Sequence, residues 1–314
     1  YTIHLGDVYY AGTEAEERDK FVAHWPPGSR GSFTLNSNHE VRADTALPRQ
    51  WSLLIYLATI GSFGLLGDAP TDVVGGKGLF DVALSDPVFA KQNRSSFFAM
   101  TNDHWIVFGL DSAFNSDKKD LFMTGKINKQ QKDFMTGVVH HPANRGKKII
   151  IMSHHDPITV PGDSFNPLYD QVCQALMTAP DFWCDFIHSQ SIQSVPSHCL
   201  HSITIITIIT HSLTQSINHR YYGHVHNAIV YNQILGTHTR FRCSGHGAIP
   251  YGPTSILENV LGGTVAWYES QNAGDSGDDV RVLNGYLVLN LEGPKLTETF
   301  ISELGHQRFS QSFD

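Results

Sequence analysis

The chain has 314 residues, of which 41% are hydrophobic and 17% charged, values typical of a globular protein that exclude wholesale disorder. This length is sufficient for one large α/β domain or for two smaller ones. The formal net charge of -8 argues against nucleic acid as the main partner, because binding a phosphate backbone needs clustered Lys and Arg.

Apolar stretches that end in polar residues predict a series of buried strands. They cover residues 1–7, 32–40, 104–112, 147–155, 239–247, 263–270 and 285–293. Helix-like stretches lie between them, at residues 13–24, 127–141 and 167–178. Strands that alternate with helices predict a layered α/β fold, in which ligands gather beyond the carboxyl ends of the strands.

Two segments interrupt this pattern. Residues 41–74 show no clear period, and residues 184–220 are rich in Ser, Thr, Ile and His and almost free of charge. Insertions this long are unusual in a compact domain, so both segments are interpreted either as translated introns or as genuine lineage-specific loops. We predict a single domain over residues 1–300, interrupted by these two insertions and followed by a C-terminal tail at 301–314.

The compartment stays open at this stage. The four cysteines are too few for a disulfide scaffold, and the longest apolar runs are too short to span a membrane. A single glycosylation sequon, Asn93-Arg94-Ser95, only weakly favours a secretory or extracellular location. The chain begins inside a predicted strand, so we expect the protein's own N-terminus to lie upstream of Tyr1.

A His-x-His pair at His224 and His226 is the first candidate metal motif. On a strand, residues two apart point to the same face, so both imidazoles could reach one metal site. With 18 histidines in the chain, such a pair also arises by chance, and it needs further ligands elsewhere.

Three more clusters of potential ligands fall at the ends of predicted strands. They are Asp7 with Tyr10, then Asn38 with His39 and Glu40, and finally His154 with His155. All offer oxygen or imidazole donors, which are groups that bind metal ions. A single cluster of this kind is usually a turn or a cap, but four of them together indicate a metal site.

This ordered set of motifs resembles the calcineurin-like metallophosphoesterases. The stretch Gly6-Asp7-Val8-Tyr9-Tyr10 is similar to the Gly-Asp-x-x-Tyr motif of the purple acid phosphatase branch. The resemblance spans residues 1–40, 76–183 and 221–300. It implies a four-layer α/β/β/α sandwich of the metallophosphoesterase type, truncated here at its N-terminus, with a binuclear metal centre.

The resemblance also implies a role for each ligand. Asp7 would bridge two metal ions, and Tyr10 and His226 would bind the first ion, typically ferric iron. The second ion would be zinc, manganese or a second iron, and three residues would hold it: Asn38, His154 and His224. We prefer His154 because it directly follows an apolar strand, and His155 is then the alternative ligand or a substrate contact.

His39 and Glu40 would be the catalytic pair. His39 would stand beside the leaving-group oxygen as general acid or transition-state donor, and Glu40 would orient or support it. There are two departures from the family pattern. The family's first Asp-x-His motif belongs before Tyr1, and Ser37 stands where the family usually has Gly, whose backbone freedom is lost there.

The implied activity is metal-dependent hydrolysis of phosphate monoesters, with a small phosphorylated substrate. Two alternatives stay open. A phosphodiesterase or nucleotidase uses the same scaffold, because fold and metals alone do not fix the substrate. A catalytically disabled member with a binding or structural role would follow from the missing motif or the insertions. The sequence does not indicate an oligomeric state.

Overall fold

The computed structural model describes residues 1–8, 12–42, 76–177, 216–234, 237–247, 255–274 and 281–314. Tyr10, residues 43–74 of the first predicted insertion and residues 184–215 of the second lie outside these ranges. The predictions made for them therefore stay predictions.

Twelve strands in three sheets are present in the described residues. Strands β1 (Thr2–His4) and β2 (Ser32–Thr34) pair in parallel. The seven-stranded mixed sheet contains β3 (Phe98–Thr101), β4 (Trp105–Leu110), β5 (Lys148–Ser153), β6 (Ile217–Tyr222), β7 (Ala228–Tyr231), β8 (Arg240–Ser244) and β9 (Val265–Tyr268). Its spatial order is β3-β4-β5-β6-β8-β7-β9. The third sheet is an antiparallel meander of β10 (Gly285–Glu292), β11 (Lys295–Ser302) and β12 (Gln307–Phe313).

The helices lie between the strands. Five of those in the described ranges are α-helical: α1 (Glu14–Glu16), α2 (Asn38–Arg42), α3 (Lys129–His140), α4 (Pro167–Leu176) and α5 (Ser255–Val260). Two π-helical turns cover Glu17–Val22, which continues α1, and Gly78–Val82. Short 3-10 helices cover Ala83–Ser85, Pro87–Gln92, Lys118–Asp120 and Pro142–Asn144.

Local sequence explains the central crossover from β5 through α4 to β6. The Ile149–Met152 run is buried on both faces and pairs in parallel with both neighbours, as expected of an interior parallel strand. Pro167 opens α4 at a position where its missing N–H breaks no helical hydrogen bond. The chain then returns along the helix to start β6 beside β5.

Each face of the seven-stranded sheet buries a separate core. On one face, α3 and α4 pack Met135, Leu168 and their neighbours against Ile106 and Ile151. On the other face lies a second core formed with the β1–β2 pair and the C-terminal meander. The predicted α/β fold class is confirmed, as a large mixed sheet with helices; the finer four-layer arrangement stays a prediction.

The structure differs from the sequence prediction at three boundaries. Residues 217–220, assigned to the second insertion, form the first four positions of β6 and pair with β5 and β8. The predicted tail at 301–314 is the end of β11 and the whole of β12, because Phe300 and Phe309 pack on Trp267 around a turn at Gly305. The predicted strand 32–40 ends at Thr34, and its last three residues begin α2.

No helix in the described ranges is long and apolar enough to cross a membrane.

Candidate metal centre

Asp7 lies in a tight turn that follows β1. Gly6 and Asp7 both adopt positive φ, 96° and 66°. A Cβ on residue 6 would stand 2.7 Å from Ser37 Cβ and 2.8 Å from His154 Nδ1, so only glycine fits there. The close approach of backbone at Gly6 therefore brings Asp7, the Ser37 loop and His154 together.

His154 follows β5 directly, and a hydrogen bond from its Nδ1 to the backbone fixes the orientation of its ring. Nδ1 is 2.9 Å from the carbonyl oxygen of Leu5, so Nδ1 carries the proton and donates it. Nε2 then presents a lone pair to the interior of the site. Burial lowers the pKa of His154 to about 3, although the Asp7 carboxylate opposes that shift, so the imidazole is neutral near pH 7.

Three further ligand atoms converge on this lone pair. Asn38 Oδ1 is 2.8 Å from His154 Nε2, His224 Nδ1 is 3.1 Å from it, and Asp7 Oδ1 is 3.4 Å from it. With Nε2 unprotonated, the only contact among these that can be a hydrogen bond is one donated by His224. Four electron-rich atoms that face one another without enough protons are the arrangement a cation stabilises.

The two oxygens of Asp7 face different partners. Oδ2 accepts a hydrogen bond of 2.8 Å from His226 Nε2. Oδ1 faces the His154 side and, within the part of the chain that the structure describes, is buried with no hydrogen-bond partner. Burial would raise the pKa of Asp7, but His154, His39 and the bond from His226 together lower it well below its usual value. An ionised carboxylate with one orphaned oxygen fits a metal bridge.

The His224–His226 motif is tied directly to His154. The backbone N–H groups of Gly223 and His224 both donate to the His154 carbonyl oxygen, at 3.0 and 2.9 Å. Burial, together with the nearby imidazoles of His155 and His154, lowers the pKa of His224 well below its usual value. A neutral imidazole is the form that binds metal.

His155 also lies near the site, and its ligand atom is within 4.8 Å of those of His154 and His224. Both its ring nitrogens, however, have partners. Nε2 donates to the Phe122 carbonyl oxygen at 2.8 Å, and Nδ1 accepts from the Ser112 hydroxyl at 2.9 Å. Binding a metal would break at least one of these buried bonds, so the geometry favours His154 as the ligand.

The predicted catalytic pair lies on α2, beside the ligands. His39 is half-buried, and its N–H donates to Ser37 Oγ at 3.1 Å. Glu40 is buried and accepts from the Val8 N–H at 2.6 Å and from the Ser37 hydroxyl. These contacts make Glu40 a positioning residue for the Asp7 turn. Burial and the Asp7 charge raise the pKa of Glu40 to about 7.

Sequence reasoning missed the part played by Ser37. Its hydroxyl joins the α2 backbone to Glu40, a contact that Gly could not provide. The spacing Ser37-x-x-Glu40 is that of a helix capping box, so a search for helix starts could have found it. Of the predicted ligands, Asp7, Asn38, His154, His224 and His226 lie together. Tyr10 lies outside the described residues.

No protein-family model matches the sequence, and no curated protein matches it. Among solved structures, the chain is similar to one described as "GAP50 the anchor in the inner membrane complex of Plasmodium". The two share 11% sequence identity with a TM-score of 0.45, over 99% of this chain and 77% of that chain. This similarity is too distant to indicate a function.

Proposed function

We propose that this protein is a metal-dependent phosphomonoesterase with a binuclear centre, similar to purple acid phosphatases, built on the four-layer metallophosphoesterase sandwich. The proposal rests chiefly on the Asp7 carboxylate. Its Oδ1 faces His154, while its Oδ2 bonds to His226. One carboxylate between two sets of ligands is what a pair of bridged ions requires.

The donor set fits the metals implied by the sequence motifs. Asp7, Asn38, His154 and His224 would hold one ion, and the orphaned Asp7 Oδ1 is the atom that most needs it. Asp7 and His226 would hold the other, together with Tyr10. Carboxylate, amide and imidazole donors suit zinc, iron and manganese. Such a centre, when loaded, polarises phosphoryl oxygens and makes a hydroxide nucleophile available near neutral pH.

The remaining chemistry falls to the protein's own side chains. His39 is half-buried on α2 beside the ligands, where its imidazole can give a proton to the leaving-group oxygen. Glu40 keeps the Asp7 turn in place through the Val8 N–H. His155 fixes the loops around Ser112 and Phe122 behind His154 and His224.

The test is hydrolysis of an aryl phosphate monoester and the matching bis-aryl diester by protein loaded with zinc, manganese or iron. We expect the monoester to react faster, and a chelator to abolish both reactions. Faster diester hydrolysis would replace the proposal with a phosphodiesterase. No hydrolysis by protein that holds its metals would indicate a disabled member with a binding or structural role.

A further inference from the structure

Strand β6 leads into the candidate metal centre, yet its first half fits the core poorly. Arg220 is 1% exposed, and Nε and both terminal nitrogens have no hydrogen-bond partner among the described residues. The Tyr169 ring lies beside it, 5.5 Å from the guanidinium carbon. A buried guanidinium without hydrogen bonds is among the least favourable groups a core can hold.

Arg242 on the neighbouring strand β8 shows how this protein satisfies a buried arginine. Arg242 is also 1% exposed, but its Nε donates to Glu298 Oε1 at 2.6 Å. Its terminal nitrogens donate to the carbonyl oxygens of Tyr231 and Phe241 and to Gln311 Oε1. Two equally buried arginines on neighbouring strands therefore differ: each side-chain nitrogen of Arg242 is hydrogen-bonded, whereas those of Arg220 have no partner among the described residues.

His219 shows the same misfit on the opposite face of β6. It is 3% exposed, and its Nδ1 has no hydrogen-bond partner in the described part of the chain. Its ring lies among aromatic rings, with centroids 4.8 Å from Phe313, 6.0 Å from Tyr221 and 6.1 Å from Trp105. These surroundings suit a phenyl ring better than an imidazole.

Two aromatic residues, Phe182 and Trp183, directly precede the atypical segment 184–220. If residues 184–220 are removed and Trp183 joins Tyr221, then Trp183 takes the position of Arg220 and Phe182 that of His219. Asp181 takes the position of Asn218, whose side-chain oxygen accepts from the Ile149 N–H at 2.8 Å. An aspartate oxygen can accept that bond equally well.

The remaining geometry of the junction is also acceptable. Pro180 takes the position of Ile217, the first residue of β6, and the start of a strand is a place where proline is tolerated. Residues 177–179 would then connect α4 to β6. Three residues is an ordinary length for a helix-to-strand connection in an α/β unit.

We propose that the native form of this domain lacks residues 184–220 and builds β6 from residues 180–183 joined to Tyr221 and Tyr222. In that form two apolar aromatic side chains occupy positions 219 and 220, where buried polar atoms lack hydrogen-bond partners among the described residues. The strand that leads to His224 and His226 then follows α4 after a short connection. This inference concerns the folding unit and stands independently of the proposed catalytic activity.

The experiment compares three chains by thermal unfolding: the full chain, a chain without 184–216 and a chain without 184–220. The first deletion retains β6 as it is, and the second replaces its first half. Cys173 is disulfide-bonded in the full chain, and both deletions remove Cys184 and Cys199. All three chains are therefore measured under reducing conditions, so that no disulfide contributes to the comparison. We expect the chain without 184–220 to unfold about 5 °C or more above the chain without 184–216.

A point substitution tests the same idea without a deletion. Arg220→Met keeps a similar volume and removes the buried charge, so it should raise the unfolding midpoint of the full chain. Arg30→Met, at an exposed arginine, should leave the midpoint unchanged. A lower midpoint for Arg220→Met, or a 184–220 deletion that unfolds or is no more stable than the 184–216 deletion, would overturn the proposal.

Discussion

Glu40 Oε1 accepts a hydrogen bond of 2.6 Å from the backbone N–H of Val8, 32 residues earlier in the chain. The bond joins the start of α2, which carries Asn38, to the turn that carries Asp7. The bond thereby fixes the separation of two candidate ligands, Asp7 and Asn38, without any metal.

Glu40→Ala should destabilise the protein by about 1–3 kcal/mol, because it leaves the Val8 N–H and the Ser37 hydroxyl buried without their acceptor. Metal affinity should fall as well, since the Asp7 turn loses its support. Urea unfolding and metal titration measure the two effects. Glu14→Ala removes a solvent-exposed pair with Lys77 and should change stability far less, because water and salt screen such a pair. Equal effects of the two substitutions would contradict the positioning role.

The neighbouring histidines His154 and His155 provide a matched pair of substitutions. His154→Ala removes the atom on which Asn38, His224 and Asp7 converge, so metal should be lost from that side of Asp7. His155→Ala should lower stability, because Ser112 and the Phe122 carbonyl lose a buried partner, while metal content changes little. Metal content of the purified variants decides the question. The reverse outcome would make His155 the ligand.

His39→Ala should lower turnover of an aryl phosphate by about 10²–10⁴-fold, the usual contribution of a general acid. Metal content should change far less, because His39 is proposed to donate a proton to the leaving group and not to bind a metal. Steady-state kinetics and metal analysis on the same preparation give both numbers. A parallel collapse of metal content would make His39 a ligand or a structural residue.

The sequence predicts some strands and helices of this fold better than others, depending on how regular their apolar pattern is. The Ile149–Met152 run and the helix at 129–140 were placed within a few residues, because apolar periodicity is strong there. Strand β12 was missed, since its short alternation of Phe309 and Phe313 with polar residues resembles a tail until β11 is recognised as its partner.

The start of β6 could not be seen for a different reason. Asn218, His219 and Arg220 are polar, and the structure nevertheless places all three in a central strand. The candidate ligands, by contrast, were visible as polar clusters at strand ends. What the clusters could not give was the direction of each ring, which depends on bonds such as that from His154 Nδ1 to the Leu5 carbonyl.

The full chain should lose stability in acid through His219. Burial, with help from Arg242, Arg240 and Lys148, lowers the pKa of this histidine to about 3. The unfolded chain binds a proton at this residue below about pH 6.5, whereas the folded chain does not until about pH 3. Stability from this residue is therefore complete above pH 6.5 and is lost as the pH falls toward 3.

The acid limb is the fall in unfolding free energy between pH 7 and pH 4.5. His219→Phe should make this fall smaller. His306→Gln, at an exposed histidine in the β11–β12 turn, is the control and should leave the limb unchanged. An acid limb as steep in His219→Phe as in the parent chain would show that His219 is not the group responsible.

The most direct test of the metal centre is anomalous diffraction from crystals of the protein loaded with zinc or manganese. We expect two anomalous peaks about 3.5–4 Å apart, one on each side of the Asp7 carboxylate. One peak should be ligated by Asn38, His154 and His224, and the other by His226. A single peak enclosed by His154, His155 and His224, with Asp7 outside its coordination sphere, would rule out a binuclear centre around Asp7.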